Sequence, residues 1–209
     1  MRILAALLCL LAAPAGADTR TLTFDVMREG TPIGTHRVSI GADGPRTDVT
    51  IEIDLEVRFA FLTLYRYTHR ARETWIGADL VSLDATTDDN GTPTRVAARA
   101  VAGGLSVEGS GGSYVAPAGT YPTSYWKRDK VRQTRLLDTQ SGKLVAVRNA
   151  GTRVRVAAVD GTEQPVEVHR IDGELVAEVG YAADGSWATL AFEARGARIG
   201  YVRRGAGGG

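Results

Sequence analysis

The chain has 209 residues, 44% apolar and 23% charged, with 25 basic and 24 acidic side chains and a formal charge of +1. That composition belongs to a folded globular chain, and the near balance of charge excludes a nucleic-acid partner held by bulk positive charge. A lone cysteine, Cys9, excludes an internal disulfide and leaves no basis for thiol catalysis or a cysteine-ligated metal.

Residues 1–17 have the three parts of a cleaved signal peptide. Arg2 supplies the positive start, Ile3 to Ala13 is an unbroken apolar run, and Pro14 precedes the small residues Ala15-Gly16-Ala17. The run falls short of the roughly 20 apolar residues that span a bilayer, and no other stretch approaches it, so no integral membrane insertion is expected. Leu7 and Leu8 stand where lipidation of Cys9 would need small residues, so the expected product is periplasmic, soluble and not lipidated. It begins at Asp18, lacks cysteine, and must hold together without covalent staples.

From there the dominant period is two. Thr47, Val49, Ile51, Ile53, Leu55, Val57 and Phe59 alternate with Asp48, Thr50, Glu52, Asp54, Glu56 and Arg58, which predicts a long strand buried on one side. The same alternation appears at Leu22-Phe24-Val26 and between Ile33 and Ile40. Turn dipeptides such as Glu29-Gly30, Asn90-Gly91, Asp160-Gly161 and Asp184-Gly185 recur at the spacing of an antiparallel meander. Predicted strands include 20–27, 33–41, 46–59, 63–76, 80–87, 92–102, 134–138, 144–148, 152–159 and 197–203. The expected fold class is all-β, a curled antiparallel sheet of about a dozen strands closing into a barrel, half-barrel or roll. One short helix is expected near 124–133, where Thr123-Ser124 could cap a segment free of Gly and Pro. A single domain is expected over 18–204, followed by a flexible Gly-rich tail at 205–209.

Motifs for common chemistries are missing. The sequence has no phosphate-binding loop, no G-x-S-x-G elbow, no H-E-x-x-H and no C-x-x-C. Asp88-Asp89-Asn90-Gly91 lacks the ligand spacing of a calcium loop and reads as a hairpin turn. His36, His69 and His169 are scattered, so neither a metal nor a cofactor is expected, and no catalytic residue is assigned.

One segment stands out. Tyr65, Tyr67, His69, Ala71, Glu73 and Trp75 share one face of a predicted strand, opposite Arg66, Thr68, Arg70, Arg72 and Thr74. If this strand forms a hairpin with 46–59, the register that sets Glu56 against Arg66 and Glu52 against Arg70 is favoured by charge. It turns Tyr65, Tyr67, His69 and Glu73 inward, opposite Val57, Leu55, Ile53 and Val49. An inward Glu73 must be paired, protonated or beside a wet cavity. His69 and Glu73 lie about 13 Å apart along the strand and cannot form a dyad. Tyr125 and Trp126 begin the expected helix and could plug or lid an open end. The candidate ligand-binding set is therefore Tyr65, Tyr67, His69, Glu73, Trp75, Tyr125 and Trp126.

The leading expectation is a non-catalytic carrier or binding protein for a lipid or other small apolar or amphipathic ligand. One alternative is a structural or interaction protein of the cell envelope with a fully packed core. A second is a hydrolase or isomerase using Glu73 or His69 as a base. Several short stretches carry a resemblance: Leu22-Thr23-Phe24-Asp25-Val26, Pro32-Ile33-Gly34-Thr35-His36, Tyr65-Arg66-Tyr67, Glu73-Thr74-Trp75, Asp89-Asn90-Gly91, Pro122-Thr123-Ser124-Tyr125-Trp126 and Leu136 to Gly142. They resemble an exported bacterial family, the domain of unknown function numbered sixty-one thirty-four. The resemblance implies a periplasmic all-β protein and supplies no catalytic residues. More loosely, the architecture is similar to the curled sheets of periplasmic lipoprotein carriers.

Overall fold

The computed structural model describes residues 18–110 and 112–205, so the expected signal peptide and most of the expected tail lie outside the described residues. Fifteen strands follow one another: β1 (Asp18–Arg28), β2 (Thr31–Asp43), β3 (Arg46–Phe59), β4 (Leu62–Ile76), β5 (Asp79–Asp89), β6 (Thr92–Val101), β7 (Gly104–Gly109), β8 (Gly112–Pro117), β9 (Tyr121–Pro122), β10 (Arg135–Leu137), β11 (Leu144–Val159), β12 (Thr162–Gly173), β13 (Ala177–Tyr181), β14 (Trp187–Ala194) and β15 (Ala197–Arg203). They form one sheet in the order 8-7-6-5-4-3-2-1-15-14-13-12-11-10-9. Neighbours in sequence are thus neighbours in the sheet, except that β8 and β9 lie at its opposite edges and β1 meets β15 in its middle. The two stretches expected at 144–148 and 152–159 are one strand, β11, with a bulge between Asn149 and Gly151. The two-residue β9, too short for a periodicity signal, pairs parallel to β10.

The period-two pattern decides which wall each side chain joins. Cross-strand register stacks the inner residues in layers. Phe24, His36, Ile53, His69 and Thr87 are successive partners across β1 to β5. Two residues along, Leu22, Val38, Ile51, Ala71, Ala85 and Val96 form a purely aliphatic layer. Beyond it come Ile40, Val49, Glu73, Leu83 and Ala98. The outer faces of β3 and β4 carry charge. Arg66 lies 3.7 Å from Glu56 as the register requires, whereas Arg70 bonds Asp54 at 2.7 Å instead of its directly opposed Glu52. The diagonal lets the guanidinium also donate to the Ile53 carbonyl, 2.8 Å away, which the direct partner does not offer.

Twist curls the sheet until distant parts meet. The last bridge of the curl joins Val159 of β11 to Arg203 of β15 in parallel, so β11 to β15 pinch into a ring of five strands. Val159, Val166, Val168, Ala182 and Ala188 form a small separate core there. Buried Arg203 pairs with Asp160 and donates to the Ser186 hydroxyl (2.8 Å) and the Trp187 carbonyl (2.9 Å). Loops bring the two sheet edges together on the other side. Gly109 and Gly142 approach so closely that a β-carbon on Gly109 would stand 2.6 Å from the Ser141 carbonyl oxygen. Tyr114 donates to the Gly142 carbonyl at 2.7 Å across the same seam.

The expected helix at 124–133 is only a 3-10 turn, Arg128–Arg132. Neither Thr123 nor Ser124 caps it: the residue before it, Lys127, makes no side-chain cap, and Thr123 Oγ1 accepts from the Thr139 amide at 3.2 Å. The cause is the demand made on Tyr125 and Trp126, which are pulled into different parts of the interior. The backbone bends at both residues, which sets their side chains further apart than the roughly 100° between neighbours on a helix. No helix among the described residues is long and apolar enough to cross a membrane.

Candidate functional site

Tyr65, Tyr67, His69, Glu73 and Trp75 all lie on the inner wall of β4, opposite the β3 residues that the register sets against them. The structure divides the seven candidates into two centres, with the aliphatic layer of Ile51 and Ala71 between them.

The first centre is Glu73 with Trp75 and Trp126. Glu73 is 1% exposed. Its Oε2 accepts from both indole N–H groups, each at 2.9 Å. The two indoles meet edge to face at 5.8 Å, and Tyr121 closes on Trp75 at 5.0 Å. Burial pushes the carboxyl pKa up. The Trp126, Ser124 and Trp75 donors and the charge of Lys130 oppose that rise. Ser124 is near enough to favour the carboxylate but makes no well-formed bond to it, and Oε1 has no partner among the described residues. Two lysines frame the centre. Lys127 Nζ sits 4.1 Å over the Trp75 ring and donates to the Gly77 carbonyl at 3.1 Å. Lys130 Nζ is buried, 3.8 Å over Tyr125, and donates to the Thr123 carbonyl at 2.9 Å. Burial lowers its pKa to about 7. This centre ties the segment 121–132 to β4 and plugs that end of the curl.

The second centre lies toward the end where the Glu29-Gly30, Ala60-Phe61, Asn90-Gly91 and Arg195-Gly196 turns gather. His69 Nδ1 and Thr87 Oγ1 are 2.8 Å apart. His36 packs edge-on against Trp187 (5.0 Å) and Tyr201 (5.6 Å), and neither of its nitrogens has a hydrogen-bond partner among the described residues. Burial lowers the His36 pKa to about 3 and that of His69 to about 4, so both rings are neutral at pH 7. Tyr125 stacks on Trp187 at 5.4 Å and thus belongs here, away from Trp126. Burial and neighbouring Tyr65, Asp138, Asp89 and Tyr125 raise the Tyr67 pKa. The rim is less covered: Ile33, Leu55, Val57, Tyr65 and Tyr67 are half-buried. Arg195 crosses it, 4.8 Å over the Tyr65 ring and 3.1 Å from Asp89.

His36, Trp187, Tyr201, Asp138 and Lys130 were absent from the sequence-derived set. His36 shares its parity with Val38 and Ile40, so its inward aim was legible. Trp187, on β14, reaches the centre only through the curl. No group of three or more His, Cys, Asp or Glu side chains among the described residues could hold a metal. Surface grooves include one lined by Thr50, Glu52, Arg70, Arg72 and Asp84 and another by Met27, Glu29, Arg155, Arg198 and Tyr201, the last of which also packs on His36.

The inner-wall residues Phe24, His36, Tyr67, Glu73, Trp75, Tyr125 and Trp126 all fall within the span 24–204 matched by the family model for the domain of unknown function DUF6134. The chain belongs to that family. This DUF6134 chain is also similar to the crystal structure of a β-barrel-like protein of the domain of unknown function DUF1849 from Brucella abortus. The TM-score is 0.55 at 12% identity, over 90% of this chain and 95% of that one. At that identity the likeness concerns the fold alone, and it agrees with a large curled sheet. No curated protein matches the sequence.

Proposed function

We propose that this DUF6134 protein is an exported, non-catalytic binding protein of the periplasm, and that the half-covered end of its curled sheet receives a small amphipathic ligand. The observation that carries the reading is His36. Its two nitrogens are buried, without partners among the described residues, against Phe24, Trp187 and Tyr201, beneath an apolar rim that these residues do not fully cover. A buried polar group without a partner is costly, and a ligand hydroxyl or carboxyl would relieve it. Tyr67, His69 and Tyr125 would line the same space, with Leu55 and Val57 facing the apolar part. The seven-residue site thus narrows to Tyr65, Tyr67, His69 and Tyr125, joined by His36 and Tyr201.

Glu73, Trp75 and Trp126 support the envelope-protein alternative instead, since their donors are spent on one another and form an anchor. The same geometry argues against Glu73 as a general base, because two indoles occupy Oε2 and the group is sealed from solvent. The test is mass spectrometry of the protein purified from its host under non-denaturing conditions, with a thermal-shift panel of fatty acids and lysolipids. A co-purifying amphiphile that is lost in His36→Leu is expected. A clean protein with no shift across the panel overturns the reading.

A further inference from the structure

The β3–β4 hairpin outruns its neighbours. β2 pairs with β3 only as far as Leu55, and the β4–β5 ladder ends at Tyr67 with one further backbone bond, from the Asn90 amide to the Arg66 carbonyl at 2.8 Å, so residues 56–65 pair with each other alone. Its turn is also unlike the others. The Glu29-Gly30, Asn90-Gly91, Asp160-Gly161 and Arg195-Gly196 turns each place a glycine at positive φ. The β3–β4 hairpin turns on Ala60-Phe61: Ala60, at φ 52, matches Glu29, Asn90, Asp160 and Arg195 of the other turns, but Phe61 stands where those turns have glycine. The apex instead presents Phe61, 92% exposed, beside Phe59 at 72%, Leu64 at 57% and Leu62 at 52%.

The tip has two faces. Phe59 opposes Leu62 and continues the side of Val57 and Tyr65, so the apolar inner wall runs out through the rim onto the tip. The other side gathers charge around one carboxylate: Arg58 and Thr63 both donate to Glu56 at 2.6 Å, and Arg66 stands 3.7 Å away. Two guanidiniums share one acid, which leaves the tip positive.

We infer that this hairpin docks the protein on an anionic lipid bilayer, with Phe59, Phe61, Leu62 and Leu64 in the acyl boundary and Arg58 and Arg66 at the headgroup phosphates. The inference goes beyond the binding reading and needs no ligand in the interior. Charge complementarity names the occupant, and shape agrees with it. The apolar atoms surround a narrow protruding apex, where a fluid interface can enclose them on every side while a rigid partner would cover only one. Tyr65 sits at the base of the tip, the level at which amphipathic rings prefer an interface.

The test uses the protein purified from its host and vesicles of phosphatidylethanolamine and phosphatidylglycerol. Wild type should sediment with these vesicles, less so at high salt and less on pure phosphatidylcholine. Phe59→Ser/Phe61→Ser should weaken binding at least about tenfold with an unchanged melting temperature. Arg58→Gln/Arg66→Gln should weaken it on the anionic vesicles alone. Phe61→Trp should gain a blue-shifted emission on the vesicles, against the constant background of the interior Trp75, Trp126 and Trp187. A wild type that stays in the supernatant, a double-serine variant that binds unchanged, or a Phe61→Trp variant whose emission does not move overturns the inference. So does a dimer in ultracentrifugation that Phe61→Ser splits, which would assign the tip to a second copy. Ligand retention is read in solution without vesicles. A protein that binds vesicles but carries no ligand therefore sinks only the binding reading, and the reverse result sinks only the docking inference.

Discussion

The two ends of the curled sheet bury polar groups in opposite ways. At the plugged end, Glu73 receives two indole N–H bonds and Lys127 lies over the rings of Trp75 and Trp126. At the rim end, His36 is also buried and has no donor or acceptor within reach among the described residues. The bonded Oε2 of Glu73 holds its neighbours in place, although Oε1 has no partner among the described residues, and removing one indole leaves a buried group short of a bond. His36 makes no such bond among the described residues and is held by ring contacts with Phe24, Trp187 and Tyr201 alone. The difference teaches that burial alone does not mark function; the state of the group's hydrogen bonds does.

Breaking the plugged end should have the largest effect. Trp126→Ala removes a packed ring and one of the two donors to Glu73, and should destabilise the protein by about 3–5 kcal/mol in urea unfolding. Next comes Glu73→Gln, which keeps the shape and an acceptor for the indoles, and should cost no more than about 1–2 kcal/mol at pH 7. The pH dependence gives its sign. The folded pKa of Glu73 lies above the unfolded value, so the native state holds the proton longer, and wild-type stability falls as pH rises from about 4.5 through that raised value. The variant lacks this fall. The stability difference between wild type and variant should therefore shrink with rising pH across that window, and a constant gap would mean that Glu73 does not titrate with burial.

Much of this comparison was readable from the chain. Strict alternation over 46–59 and 63–76, with acids facing arginines, fixed both the inner wall of β4 and its register, because a one-residue slip would have turned every apolar residue out. The division into two centres was not readable. Tyr125 and Trp126 are adjacent in sequence, and only the fold sends one to Trp187 and the other to Glu73. A short segment with good helix formers reads as a helix until tertiary packing pulls its side chains apart, since about one turn's worth of propensity is weaker than burying two aromatic rings. The seam at Gly109 and Gly142 was hidden for the same reason, as close approach of two backbones leaves no periodic trace.

The rim end answers to acid. His36 and His69 are held neutral, with folded pKa values of about 3 and about 4 against an ordinary 6.5. The unfolded chain therefore binds more protons between those limits, and stability is full above about 6.5 and is lost as pH falls toward 3, by about 1.4 kcal/mol per pH unit for each neutral ring. His36→Leu should remove one ring from that slope while costing less than about 1 kcal/mol at pH 7, because no hydrogen bond to the described residues is lost. Unfolding midpoints measured from pH 7 to pH 4 check this, and a variant that is much weaker at pH 7 would mean that His36 has a partner after all.

The smallest effect is expected at the strap across the rim. Arg195 and Asp89 form an exposed pair, with side chains 66% and 41% exposed, so Arg195→Gln should change stability by less than about 1 kcal/mol. Its consequence should instead be kinetic. Arg195 lies over the Tyr65 ring on one side of the half-covered rim, and freeing that contact widens the way to His36 without touching the plug. Exchange of a bound fluorescent fatty acid should therefore be faster in Arg195→Gln than in wild type, while Lys127→Gln at the opposite end leaves it unchanged. Equal acceleration by both variants would mean that the two ends open together, and the contrast between a sealed end and a receptive one would not hold.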